Sequence, residues 1–322
     1  MASKQNDSVR SEENKMKKVA VLGGGCSSER DVSLSSAKGV LKALQDAGYD
    51  AFFVDIGHDL KPFIETMTTQ KPDVVFNALH GMFGEDGCVQ GLLDLMQIPY
   101  THSGRLASAL AMDKVRAKEI FQCNGIPVAK GGRVSKQDIL AGNLPEGPLV
   151  LKPVENGSSV GVFLFENGVT GNPFEGREYP YADNESVMAE EYIPGRELTV
   201  AVMDGESLGV LEIVPVEGFY DYEHKYADGG AQHIVPANIP QEDYDTLMDL
   251  AQKAHKALGC RGISRSDFRY DDTVRPARCV LLETNTQPGM TPTSLVPDIA
   301  RYKGLTYQDI VVWLTEHASY GN

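Results

Sequence analysis

With 322 residues the chain is too long for one compact core, so two or three domains of roughly 100 residues are expected. Hydrophobic residues at 42% and charged residues at 23% are ordinary for a water-soluble folded protein and exclude a disordered chain. The 45 acidic against 30 basic residues give a formal net charge of -15, which repels nucleic acid and anionic membrane surfaces and leaves a small-molecule partner as the expectation. An anionic substrate would have to be met by a few placed lysines and a metal ion.

The opening stretch MASKQNDSVRSEENK has nothing to bury and no apolar signal segment, so residues 1–16 read as a disordered extension. No apolar run approaches the roughly 20 residues that span a bilayer, and Cys26, Cys88, Cys123, Cys260 and Cys279 lack any CxxC or metal-ligand spacing. Reduced thiols in a cytoplasmic protein are expected. KKVAVLGGG then reads as a strand ending in glycines, and the helical spacing that follows stops at Gly48. YDAFFVDI, a polar helix, VVFNAL and the helix CVQGLLDLMQ continue the alternation, which predicts an α/β domain with a parallel sheet over residues 17–102. In such a sheet the loops after Gly23 and Leu79 line one cleft.

Two helical stretches, LASALAM and KVRAKEIFQCNG, and the strands PLVLKP, VGVFLFE and SVMAEEYI predict a small α+β unit over 103–194. Residues 195–322 carry the strands RELTVAVMD and ESLGVLEIVPV, a Tyr-rich loop, the helix QEDYDTLMDLAQKAHKAL, two more strands with acidic residues and a closing helix.

Four clusters could carry chemistry. In SDFRYDD and CVLLETNTQPGMT, two strands joined by a turn would set Asp267 beside Glu283, with Asn285 on the same face by the two-residue repeat. Three such oxygens suit Mg2+, although acidic strand faces are often merely solvated. Glu283 directly follows the apolar run VLL, where a carboxylate needs a partner. In VLKPVENGSSVGV, Lys152 precedes a glycine-serine loop that would close over phosphates or would be a plain hairpin. Lys114 starts a helix, where a surface lysine is also common. GGGCSSERDVS lacks the full GxGxxG spacing, with Asp55 only a loose match to the acidic residue of a dinucleotide fold, while Glu29 there suits an ammonium group. In ALHGMFGEDG, His80 stands at the cleft mouth as either a structural or a reacting residue.

GGGCSSERDVSL, ALHGMFGEDGCVQGLL, PYTHSG, ALAMDK, LKPVENGSSVGV, FYDYEHKY and ETNTQPGMTPTSLVP, in this order, resemble the D-alanine:D-alanine ligase family from Lys17 onward. The resemblance implies a three-domain ATP-grasp fold with a Rossmann-like N-terminal domain, ATP with Mg2+ or Mn2+ (two ions per site), and formation of D-alanyl-D-alanine through a D-alanyl phosphate for peptidoglycan synthesis. A relative that takes D-serine or D-lactate second, or a non-catalytic nucleotide-binding protein, is the alternative. By motif, Glu29 and His80 belong to the first D-alanine, Lys114 and Lys152 to the phosphates, and Ser158 and Ser159 to the lid. Lys225 and Tyr226 lie in the loop that meets the lid, and Glu29, Ser158 and Tyr226 form a closing trio. Glu190, Glu191 and Ile193 resemble the adenine hinge and Glu197 the ribose contact; Glu191 stands where some relatives carry lysine. Asp267, Glu283 and Asn285 match the metal ligands, Arg265 the transition-state cation and Gly289 the oxyanion donor; Ser294 and Leu295 match the pocket for the second carboxylate. The family also implies a homodimer formed through the N-terminal domain.

Overall fold

The computed structural model describes residues 16–157, 160–215 and 231–321, which form three sheets. In the first, β1 (Lys18–Gly24) lies between β2 (Asp50–Ile56) and β3 (Val74–Asn77), and both pairings are parallel. Being covered on both faces, β1 is buried from Val19 to Gly24, which is why it reads as an unbroken apolar run. Helices α1 (Arg30–Asp46), α2 (Lys61–Gln70) and α3 (Cys88–Met96) follow the strands in turn, as the alternation predicted.

The first glycines of the GGG loop serve packing. A Cβ on Gly23 would fall 2.6 Å from the Ala37 Cβ, so α1 approaches β1 too closely for any side chain there. Asp55 takes a two-pronged ion pair from Arg30, at 2.9 and 2.6 Å, and is thereby committed to closing this loop rather than to holding a ribose.

The second sheet runs β4-β7-β5-β6, antiparallel throughout, from β4 (Gly131–Val134), β5 (Leu149–Pro153), β6 (Phe163–Phe165) and β7 (Val187–Glu191). The glycine-serine loop thus joins the hairpin strands β5 and β6. The sequence reading has no counterpart for β4 or for α6 (Lys136–Ala141). The strand GGRV has no apolar residue before Val134, and it pairs because Gly131 has no Cβ to strike the Ala189 carbonyl oxygen.

The third sheet, β10-β9-β8-β11-β12, is built from β8 (Arg196–Met203), β9 (Glu206–Pro215), β10 (Ala231–Ile234), β11 (Ile263–Asp271) and β12 (Arg278–Asn285). Helix α7 (Gln241–Leu258) packs on it through Leu247, Leu250 and Ala254. Helices α4 (Arg105–Met112) and α5 (Lys114–Cys123) join the same core through Ala111, Ala117 and Phe121. Although α5 precedes the second sheet in the chain, its packing is with the third.

The last helices, α8 (Leu295–Tyr302) and α9 (Tyr307–Glu316), return to the beginning. Ile299, Ile310 and Leu314 share one core with Val19, Val21, Val40 and Leu44, and Ala201 and Leu211 of the third sheet join it. The first and third sheets are therefore fixed to each other by apolar burial, and the loops at their facing ends are held at constant separation.

His102 lies at this junction with its ring edge-on to Phe76, 5.7 Å between centroids, and its backbone at φ 68°. It is 3% exposed, and neither ring nitrogen has a hydrogen-bond partner. Burial, with His80 and Arg261 nearby, lowers its pKa to about 3. The folded chain keeps the ring neutral while the unfolded chain takes up a proton below about 6.5, so stability is lost as pH falls through that value. Between pH 7 and 5 this linkage removes about 2 kcal/mol. The variant His102→Asn, which tolerates positive φ, should show a correspondingly smaller fall in urea midpoint over that range; equal falls in both proteins would exclude His102 as the source.

Candidate active site

The pairing of β11 with β12 sets Asp267 opposite Glu283 and Arg265 opposite Asn285, with a bulge just after Asp267. The two carboxylates are neighbours, as the strand alternation predicted. Asp267 is held on both oxygens: Oδ1 accepts from the Thr199 hydroxyl at 2.6 Å and Arg265 Nε at 2.9 Å, and Oδ2 from Arg265 Nη2 at 2.7 Å and Asn285 Nδ2 at 3.1 Å. The partner that Glu283 needs after its apolar run includes Lys114, whose Nζ lies 3.4 Å from Oε2. Asp113 caps α5 by accepting from the Val115 and Arg116 amides, which makes Lys114 the first helical residue. Its ammonium also donates to the Asn156 carbonyl at 2.7 Å, tying α5 to the segment after β5.

Lys152, on β5, reaches Glu190 on the neighbouring β7, with Nζ 2.5 Å from Oε1. The other oxygen, Oε2, is taken by Lys118, one helical turn beyond Lys114. Burial alone would raise the Glu190 pKa, but Lys152 and Lys118 outweigh it and hold the carboxyl below its ordinary range. Glu191 is occupied elsewhere, in a two-pronged pair with Arg278 at 2.7 and 2.9 Å. Ile193 is buried against Ala129 and Val280, and Glu197 faces Arg269 at 3.9 Å.

Lys114, Lys152, Glu190, Ile193, Glu197, Asp267 and Glu283 line a cleft between the second and third sheets. Val150, Val162, Tyr192 and Leu282 form its apolar wall, and Lys114, Lys152, Asp267 and Glu283 its charged end. An apolar slot leading to lysines and paired carboxylates fits a nucleotide, base first. Among the described residues no group of three His, Cys, Asp or Glu side chains is arranged to hold a metal by itself. Two carboxylates and an amide oxygen still suit Mg2+, which completes its shell with phosphate oxygens and water.

The charged end opens toward the loops of the first sheet. Glu29 sits at the start of α1 against two glycines: a Cβ on Gly81 would lie 2.7 Å, and one on Gly157 3.1 Å, from its Oε2. The carboxylate therefore bridges the loop after β3 and the glycine-serine loop after β5. His80 is buried, its Nε2 3.1 Å from the Ser36 hydroxyl; burial, then Arg265, lowers its pKa to about 4 and keeps the ring neutral. Glu85, absent from the sequence reading, accepts from the Gly81 amide at 2.9 Å. Burial and the nearby Glu29 push its pKa up to about 8.

The loop after β12 completes this region. The Ser294 hydroxyl accepts from the Thr291 amide at 3.0 Å and lies 3.2 Å from where a Cβ on Gly289 would be; Leu295 begins α8. Amides at a helix start suit a carboxylate. The loop is fastened to the first sheet by the buried Gln287, which accepts from Asn77 Nδ2 at 2.7 Å and donates to the Leu79 carbonyl. Ser158, Ser159, Lys225 and Tyr226 lie outside the described residues.

The structure thus brings Lys114, Lys152, Glu190, Glu197, Asp267, Glu283 and Asn285 to one cleft, and Glu29, His80, Arg265, Gly289 and Ser294 to its open end. Glu191 and Ile193 line the same cleft, Glu191 with its carboxylate paired to Arg278. Lys118, Glu85 and Gln287 had to be found in the structure. Only Lys118 left a trace in sequence, its four-residue spacing from Lys114.

Family models described as D-ala D-ala ligase N-terminus and D-ala D-ala ligase C-terminus match residues 18–71 with 58–103, and 122–316. The chain belongs to the D-alanine–D-alanine ligase family. Similar proteins named D-alanine--D-alanine ligase include one of Paramagnetospirillum magneticum, 53% identical over 304 residues that cover 94% of this chain and 98% of the relative. One of Cereibacter sphaeroides is 52% identical over 302 residues, 94% of this chain and 96% of the relative. The structure of a D-alanine--D-alanine ligase from Bacillus anthracis complexed with ATP superposes with a TM-score of 0.78 at 30% identity, covering 94% of this chain and 97% of that one. The three-sheet arrangement around the cleft is thus the ATP-grasp fold of these ligases.

In this ligase-family chain Gln287 should matter beyond its own volume. Gln287→Ala leaves the Leu79 carbonyl and the Asn77 amide without their partner, which should lower stability by roughly 1–3 kcal/mol. Urea denaturation measures this, and an unchanged midpoint would show that the tie is immaterial.

Proposed function

We propose that the chain joins two molecules of D-alanine into D-alanyl-D-alanine, converting ATP to ADP and phosphate, for peptidoglycan precursors. The observation that carries this reading is the continuity of one site. The cleft runs past Asp267 and Glu283 to Gly157, against which the Glu29 carboxylate lies, so a phosphate donor and an amino acid can meet there.

A carboxylate is a poor electrophile, so the γ-phosphoryl group is first passed to the carboxylate of one D-alanine, giving an acyl phosphate and ADP. Lys114 and Lys152 hold the transferring phosphates; Glu190, Ile193 and Glu197 seat the base and ribose. Asp267, Glu283 and Asn285 would hold Mg2+ or Mn2+, two ions in all, which would supply positive charge against the transferring phosphate. Glu29 binds the ammonium of the first D-alanine beside His80, which burial keeps uncharged. The amine of the second D-alanine, its carboxylate seated by Ser294 and Leu295, attacks the acyl carbon. Arg265 and the Gly289 amide stabilise the oxyanion, phosphate leaves, and the amine gives up its extra proton. Ser158, Ser159, Lys225 and Tyr226 supply the lid that keeps water from the acyl phosphate. A cytoplasmic location, where ATP is supplied, and a homodimer through the N-terminal domain belong to the same proposal; exposed Phe53, Leu60, Ile64 and Leu95 on that domain support the latter.

Coupled measurement of ADP release with D-alanine, L-alanine, D-serine and D-lactate tests the reading. D-Alanine alone should drive release, with one D-alanyl-D-alanine per ADP; a D-alanyl-D-lactate product by mass, or release independent of D-alanine, would overturn it. Glu283→Gln should abolish turnover at an unchanged urea midpoint, because a shared metal ligand loses its charge where phosphoryl transfer needs it. Normal activity with normal magnesium dependence in that variant would remove Glu283 from the metal site.

A further inference from the structure

Lys118 has no part in the family resemblance or in the roles assigned above. It follows Lys114 by four residues on α5, so both ammonium groups leave the same helix face, one reaching Glu283 and the other Glu190, two acids of the cleft lining. Its side chain is 6% exposed and that of Glu190 4%. Glu190 is gripped on both oxygens, by Lys118 on Oε2 and Lys152 on Oε1. Two buried ammonium groups share this carboxylate, and Glu283, the other acid that acts on them, already faces Lys114, so three ammonium groups meet two carboxylates. A surplus buried cation is unfavourable by itself, since burial lowers the pKa of Lys118.

The surplus makes sense once Lys152 has a second task. Under the reading above Lys152 serves the phosphates, and moving it there from a carboxylate with no other cation would strand a buried anion, a strongly unfavourable change. We propose that Lys118 is a positioning residue of the nucleotide site: it holds the charge and orientation of Glu190 so that Lys152 can be given up to the phosphates. The inference rests on the ATP-dependent reading. A mere strut between α5 and β7 would need the same ion pair but would have no link to phosphate.

The test uses the full chain and calorimetry, with magnesium ADP and adenosine as probes, adenosine by competition against ADP where direct heats are small. Lys118→Met keeps the length and removes the charge, leaving Lys152 drawn to Glu190. ADP binding should weaken by about tenfold or more while adenosine, which has no phosphate, stays within about twofold. Lys118→Arg should retain ADP binding within about threefold. In a Glu190→Gln background no anion retains Lys152, so adding Lys118→Met should change ADP affinity by less than about twofold; this pair carries the test if the single variant does not fold. Unchanged ADP affinity in Lys118→Met, equal losses for ADP and adenosine, or a tenfold loss within the Glu190→Gln background would each overturn the proposal. Wild-type protein that binds ADP but forms no D-alanyl-D-alanine would refute the ligase reading and leave these ratios decisive for Lys118. Failure of the wild type to bind ADP would refute both.

Discussion

Among the described residues, the cations in and beside the cleft are each held against a carboxylate. Lys114 lies beside Glu283, Lys118 and Lys152 share Glu190, and Arg265 grips Asp267. A chain of net charge -15 that must take up a polyanion cannot rely on a general positive field. It uses a handful of cations, and in a partly apolar cleft each would be costly if left without a counter-ion. Pairing them with the acids proposed to serve metal and hinge answers both needs with one set of residues. Binding then becomes an exchange of partners among fixed charges, which needs little backbone movement around the two sheets.

Those charges are only as well placed as their supports. β11 and β12 fix the two carboxylates through ladder register, so Asp267 and Glu283 cannot separate without breaking the sheet. Asp113 fixes where α5 begins and hence where Lys114 and Lys118 point. The loops that present Glu29 and Gly289 lack a ladder and are held by side chains instead. Arg30 with Asp55 closes one, and Gln287 with Asn77 fastens the other. The site is therefore fixed by a ladder around Asp267 and Glu283 and cross-braced around Glu29 and Gly289.

This division also explains what could be read from the sequence. Period-two alternation is local, so the Asp267, Glu283 and Asn285 constellation was legible from two short segments, and the parallel sheet from its apolar runs. Glu29 and His80 were legible because strand ends in an α/β sheet face a common cleft. β4 was not, since its pairing depends on the missing Cβ of Gly131 against a strand almost 60 residues away. Gln287 and Glu85 take their meaning from partners in other segments, and no periodicity records that. Glu191 lines the cleft with its sequence neighbours Glu190 and Ile193, while its carboxylate pairs with Arg278, a partner no local pattern records.

The core shared by the first strand and the last helices has a consequence for how the chain is made. Val19 and Val21 are synthesised well before Ile310 and Leu314, which share the same core. Outside that core Tyr49 donates to Glu316 at 2.5 Å, and Tyr100 bridges to Ser319. Until those helices have been made, the face that α1 covers in part lacks the rest of its apolar packing. A nascent chain thus carries a partly covered surface while the intervening sheets are synthesised, and a product lacking α8 and α9 would be exposed at its first strand as well as shortened.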